Sequence, residues 1–129
     1  MKLGYVILYV PDVAQSLGFF SAAFGLKTHF LHESGTYGEL ESGATTLAFA
    51  SHELGRTNLK SGYVAASDSE VPLGMEIALV TDDVATAHAR ALAAGASEIA
   101  PAAVKPWGQT VSYVRAPDGC LVELCSPVA

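Results

Sequence analysis

Apolar and polar positions along this chain follow two periods, and the order in which they alternate sets out the fold. Residues 3–10 alternate every second position, with Tyr5, Ile7 and Tyr9 on one side and Val6, Leu8 and Val10 on the other, which predicts a strand. Pro11 ends it. Asp12 then caps a helix, with Gln15 completing a capping box, and Val13, Leu17, Phe20 and Phe24 form an apolar stripe at helical spacing until Gly25 stops it. Three strands follow over 27–33, 37–41 and 45–50, separated by Ser34-Gly35 and Ser42-Gly43 turns. Residues 52–73 are polar and rich in Gly and Ser. They read as a linker, with 62–66 as a short edge strand. The pattern then restarts: a strand over 75–80, a helix over 84–94 capped by Asp82 or Asp83 and stopped by Gly95, and a short strand over 97–100. Two last strands, 109–115 and 120–125, flank the turn Ala116-Pro117-Asp118-Gly119.

The repetition extends to residues. Asp12-Val13-Ala14 recurs as Asp83-Val84-Ala85, 71 positions later, and residues 47–51 lie against 122–126 at the ends of the two halves. The chain therefore reads as one domain, 1–129, of class α+β. Module one spans 1–51, the linker 52–73 and module two 74–129, each module a βαβββ unit. Paired, the modules form a curved mixed sheet around a cavity, with the helices on the outer face. Internal symmetry makes Tyr5, Ala48, Glu76 and Glu123 equivalent positions. If Val6, Leu8 and Val10 pack under the first helix, the same alternation puts Ile77, Leu79, Val122 and Leu124 under the second. Both intruding carboxylates, Glu76 and Glu123, then fall on the uncovered face. An unpaired carboxylate in an apolar strand costs several kcal/mol in principle, so that face should be wet or hold a partner.

Composition narrows the partners. Seven basic against thirteen acidic residues give a net charge of -6, which argues against nucleic acid and favours neutral or cationic molecules. No apolar run is long enough to span a membrane, and the N-terminus enters a strand pattern directly, so the expected location is the cytoplasm. Cys120 and Cys125 sit about 17 Å apart along one extended strand, too far for a disulfide. The four histidines do not cluster; His88 shares the helical stripe of Val84 and Ala91 and is expected to be half-buried packing. Glu39 and Glu41 share one strand face and are expected at a solvated edge, and Arg56 and Lys60 are expected to be surface charges. Trp107, the one tryptophan, lies in a Pro106-Trp107-Gly108 loop where an indole can stand exposed.

The stretches YVILYVPDVAQSLGFFSAAFGL, MEIALVTDDVATAHARALAAGA and KPWGQTVSYVRAPDGCLVEL together resemble the vicinal oxygen chelate superfamily of glyoxalase I, bleomycin-resistance proteins and extradiol dioxygenases. The aromatic pair Phe19-Phe20 and the Pro117-Asp118-Gly119 turn before a glutamate-bearing strand carry much of that likeness. In the metalloenzymes of that group, four strand positions bind a divalent metal through His or Gln and Glu. Here they map onto Tyr5, Ala48, Glu76 and Glu123, and only Glu123 is the family's residue, although Glu76 can still ligate. Ala48 cannot bind a metal, and a catalytic zinc site keeps three protein ligands.

The resemblance thus implies a metal-free, cofactor-free small-molecule binder of the drug-resistance type, a homodimer with its cleft between subunits. Tyr5, Glu76, Trp107, Tyr113 and Glu123 would hold a planar or cationic drug or metabolite. The alternative is a divalent-metal-dependent lyase or isomerase of the glyoxalase type, with Glu76 and Glu123 as ligands. A third reading is a module with a vestigial pocket.

Overall fold

The two longer helices each start where a carboxylate can satisfy their free amides. Asp12 accepts from the Gln15 amide at 3.1 Å and opens α1, Val13–Phe24; Gly25, at φ 72°, closes it. Asp83, not Asp82, opens α3, Val84–Ala93, accepting from both the amide and the hydroxyl of Thr86 at 3.0 and 2.8 Å. In the computed structural model, which describes residues 1–128, these helices each lie on a four-stranded sheet.

The first sheet holds β1 (Tyr5–Val10), β2 (Thr28–Leu31), β3 (Tyr37–Leu40) and β4 (Thr46–Ser51) in the order β1-β4-β3-β2, with β1 parallel to β4 and the rest antiparallel. The second repeats this with β5 (Ile77–Val80), β6 (Ser97–Val104), β7 (Thr110–Arg115) and β8 (Leu121–Cys125) in the order β5-β8-β7-β6. The two βαβββ modules expected from the repeat are present, although Ala129 at the end of the second lies outside the described residues.

One core serves both modules. Val10, Leu17, Phe20, Phe49, Val84, Ala91, Val114, Val122 and Leu124 belong to a single buried cluster, and α1 packs on α3. Phe20 and Phe49 meet edge to face at 5.0 Å with no exposure. Two polar ties cross the junction. Ser16 donates to the Asp118 carboxylate at 2.7 Å, and Arg90 donates from Nε to the Ala22 carbonyl at 2.8 Å, over the last turn of α1.

The structure corrects three local expectations. Residues 52–58 are helical, not linker: α2, His52–Asn58, is capped by Ser51, whose hydroxyl accepts from the Leu54 amide at 3.1 Å. Residues 62–66 form no strand; Tyr63 instead stacks on Tyr9 with centroids 4.8 Å apart, and a short 3-10 turn follows at Ala66–Asp68. β6 continues through Pro101 to Val104 because it is an edge strand, where a missing N–H costs no ladder bond.

The segment between modules is pinned to the second one. Arg115 donates to the carbonyls of Gly119, Glu70, Ala66 and Ser69 at 2.7–3.2 Å. At Gly119 (φ 95°) the backbone comes so close that a Cβ would collide with the Ala66 carbonyl. Gly119→Ala should therefore cost about 2 kcal/mol or more, from positive φ and this collision together, and urea denaturation will measure it.

Candidate functional site

One helix covers only one face of each sheet, and the register fixes what the other face carries. In the second sheet Ala78 pairs with Glu123 and Glu123 with Tyr113, so these side chains share the uncovered face; Val80, Cys125 and Val111 form the next row. Tyr113 donates its phenol to Glu123 Oε1 at 2.9 Å. Glu76 stands exposed just before β5, close enough for the Glu123 charge to act on it. In the first sheet Ile7 pairs with Ala48 and Ala48 with Glu39, and the Tyr37 phenol donates to Glu39 Oε2 at 2.7 Å. Glu39 and Tyr113 occupy matching positions in the two registers, so each open face carries one phenol–carboxylate pair.

The expected site residues are thus distributed as follows. Glu76, Glu123 and Tyr113 come together. Tyr5, 59 % exposed, lies on the first sheet near Tyr37. Trp107 is 67 % exposed at the turn between β6 and β7, its indole N–H donating to Gln109 at 2.8 Å while Gln109 donates to the Ser126 carbonyl. It stands at the end of the open face, with Thr110 about 10 Å along the strand from Tyr113. Glu39, expected at a solvated edge, is instead half-buried and bonded to Tyr37; Glu41 is exposed beyond the strand end. The role of Tyr37 had no signal in the pattern except the glutamate two positions on.

Electrostatics mark the acidic face. Burial, and then the neighbouring Glu123 charge, raise the Glu76 carboxyl above its usual range. The Tyr113 phenol is pushed up to about 12, chiefly because it donates to Glu123. The Cys125 thiol is raised by burial and then by Glu123.

Metal binding can be tested on the donors themselves. Among the described residues no three His, Cys, Asp or Glu side chains gather at one point, Ala48 offers no donor atom, and one Glu123 oxygen is already spent on Tyr113. This donor set does not fit a catalytic metal of the kind the metalloenzymes hold.

Two other polar clusters have internal roles. His88, expected to be half-buried packing, is only 7 % exposed and bridges Ser112 (Nδ1, 2.9 Å) and Glu98 (Nε2, 2.8 Å). The order Ser–His–Glu looks like a hydrolytic triad, but Ser112 has no exposure and lies under α3, out of reach of a substrate. His52 bonds the Tyr63 phenol at 2.7 Å, and Arg56 lies over the same ring at 5.4 Å.

Hollows are not equivalent. The hollow of about 400 Å³ between α1 and the Pro117 turn is on the helix side, away from both phenol–carboxylate pairs. A cleft of about 430 Å³ borders the acidic face, lined by Pro72, Met75, Glu76, Ile99, Tyr113 and Leu121.

A model of the Glyoxalase/Bleomycin resistance protein/Dioxygenase superfamily matches residues 2–124. The chain belongs to this superfamily. Its fold is similar to that of a glyoxalase-related enzyme from Fulvimarina pelagi, with a TM-score of 0.83 at 22 % identity over 98 % of this chain and 88 % of that one. A glyoxalase/bleomycin resistance protein/dioxygenase family enzyme from Burkholderia phytofirmans PsJN superposes with a TM-score of 0.82 at 18 % identity over the whole of both chains. TioX from Micromonospora sp. ML1 gives 0.70 at 20 % identity over 98 % of each. At these identities the likeness is one of fold. No curated protein matches the sequence. Among the described residues no helix is long and apolar enough to cross a membrane.

Because Glu76 ionises less readily in the folded chain, its contribution to stability is full below the unfolded carboxyl value and is lost as pH rises through the raised folded value. Glu123→Gln should bring the Glu76 carboxyl back toward its ordinary range and shrink that loss. A carbon-13 carboxyl titration by NMR, with urea midpoints against pH, will read both.

Proposed function

We propose that this superfamily member is a metal-free binder of small cationic or planar organic molecules, resembling bleomycin-resistance proteins. The observation that carries the reading is the Glu76–Glu123 pair on an open sheet face, with Tyr113 bonded to one of the two acids. Two neighbouring carboxylates repel, and a positive group between them removes that cost. Tyr113 and Tyr5 add flat apolar surface, and Trp107 offers an exposed ring at the end of the same face. The donor set, poor for a metal, suits an organic cation, which needs only charge and acceptors.

The working form in this reading is a homodimer whose cleft lies between subunits. Tyr5, Ile7, Met75, Val80 and Val104 are all exposed on or beside the open faces or edges. β1 and β5 are edge strands with one side unpaired. Such surfaces are normally covered by a partner. Ile7→Lys should shift the protein toward monomer, as read by sedimentation velocity.

Binding of an organic cation such as benzyltrimethylammonium, followed by calorimetry, should weaken about tenfold or more in Glu123→Gln. It should tighten as pH rises through the raised Glu76 value, since the ionised pair is the better acceptor. No binding to any of a panel of aromatic cations, or near-stoichiometric Mn, Ni, Zn or Fe in protein purified without chelator, would overturn the reading.

A further inference from the structure

A second hollow, of about 260 Å³, lies in the seam between the modules. Its walls are Ile7 and Tyr9 from β1, Tyr63 and Val64 from the segment that crosses over, and Met75 and Leu121 from module two. Its chemistry is the reverse of the acidic face. Asp118, on its rim, is spent on the Ser16 hydroxyl (2.7 Å) and the Cys120 amide (3.0 Å). The Tyr63 phenol is bonded to His52, and the Cys120 thiol contacts the Leu121 carbonyl at 3.6 Å. Burial and then the Asp118 charge push that thiol up to about 12, so it stays neutral. Among the described lining side chains, the Tyr9 hydroxyl has no side-chain partner, while Asp118 and Tyr63 already hold theirs and the rest of the wall is apolar. A cationic head would find here only Asp118, which already accepts two hydrogen bonds, whereas an uncharged tail gives up no hydration by entering.

The two hollows are neighbours. Met75 and Leu121 line both the seam and the cleft that holds Glu76 and Tyr113, so each residue is a shared wall. On the register, Leu121 sits one row from Glu123 along the open face, on the side away from Trp107. Arg115 fixes the roof by holding the Ala66, Ser69 and Glu70 carbonyls just after Val64.

We infer that the seam is an apolar subsite for the same ligand, and that the ligand class is a cationic amphiphile: a charged head on the acidic face and an uncharged hydrocarbon or aromatic tail lying past Met75 and Leu121 beneath Tyr63. The head half of this assignment rests on the cation reading above; the tail half rests on the seam alone.

Two homologous series separate the halves. Calorimetric titration of the protein with n-alkylammonium ions from ethyl to decyl, and with the matching 1-alkanols, gives affinity against chain length. The seam should make both series tighten about fourfold per methylene. The gain should stop near nine heavy atoms, roughly the number of water volumes in 260 Å³. Val64→Asn combined with Met75→Gln, at positions 69 % and 68 % exposed, should flatten that slope in both series without disturbing the core. Glu123→Gln should weaken every ammonium by one common factor and leave the alkanols unchanged. A slope near zero in both series, or one that the Val64 and Met75 changes do not alter, overturns the seam. A vanishing gap between ammonium and alkanol overturns the cation reading while leaving the seam in place.

Discussion

The whole arrangement follows from a shortage of cover. α1 and α3 each cover one face of a four-stranded sheet, and the short α2 reaches only β1 and β4. The chain spends α1 and α3 on a common interior, where Phe20, Phe49, Val114 and Val122 are fully enclosed. Burying such side chains gains about 1.5–3 kcal/mol each, which is where most of the stability of a chain this size originates. The opposite faces carry Glu123 and Glu39, each bonded to a tyrosine, whereas Glu98, the strand acid on the helix side, is held by His88. The apolar core and the phenol–carboxylate pairs are thus divided between the two sides of the same strands.

That division is why the sequence disclosed so much of the fold. A period of two separates the sides of a strand without any knowledge of its neighbours, so Val122 and Leu124 could be placed under a helix and Glu123 away from it. The duplicated Asp-Val-Ala helix starts then aligned the modules. Local chemistry that depends on one or two residues also came through, as with Asp12 and Gly25 at the ends of α1.

What stayed hidden depends on contacts between residues distant in sequence. Nothing near His88 announces Ser112, 24 positions away, or the bond to Glu98. The polar stretch after Ser51 looked like a linker because its anchoring side chain, Arg115, lies some fifty residues downstream and bonds only to main-chain oxygens, which carry no sequence signal. Tyr63 gave no hint that it would stack on Tyr9. The seam hollow was illegible for the same reason: its walls come from four separate stretches of chain.

Under the proposed function, the bond between Tyr113 and Glu123 also bears on the shape of cation the face would favour. With Oε1 accepting the phenol's hydrogen bond, one lone pair of that oxygen is used, while the second oxygen accepts nothing from the phenol. A guanidinium, whose flat fork wants two parallel acceptors, would have to share Oε1 with the phenol to dock in its best geometry. A compact ammonium needs only the other oxygen, so under the proposed function the phenol would favour a point charge over a flat fork.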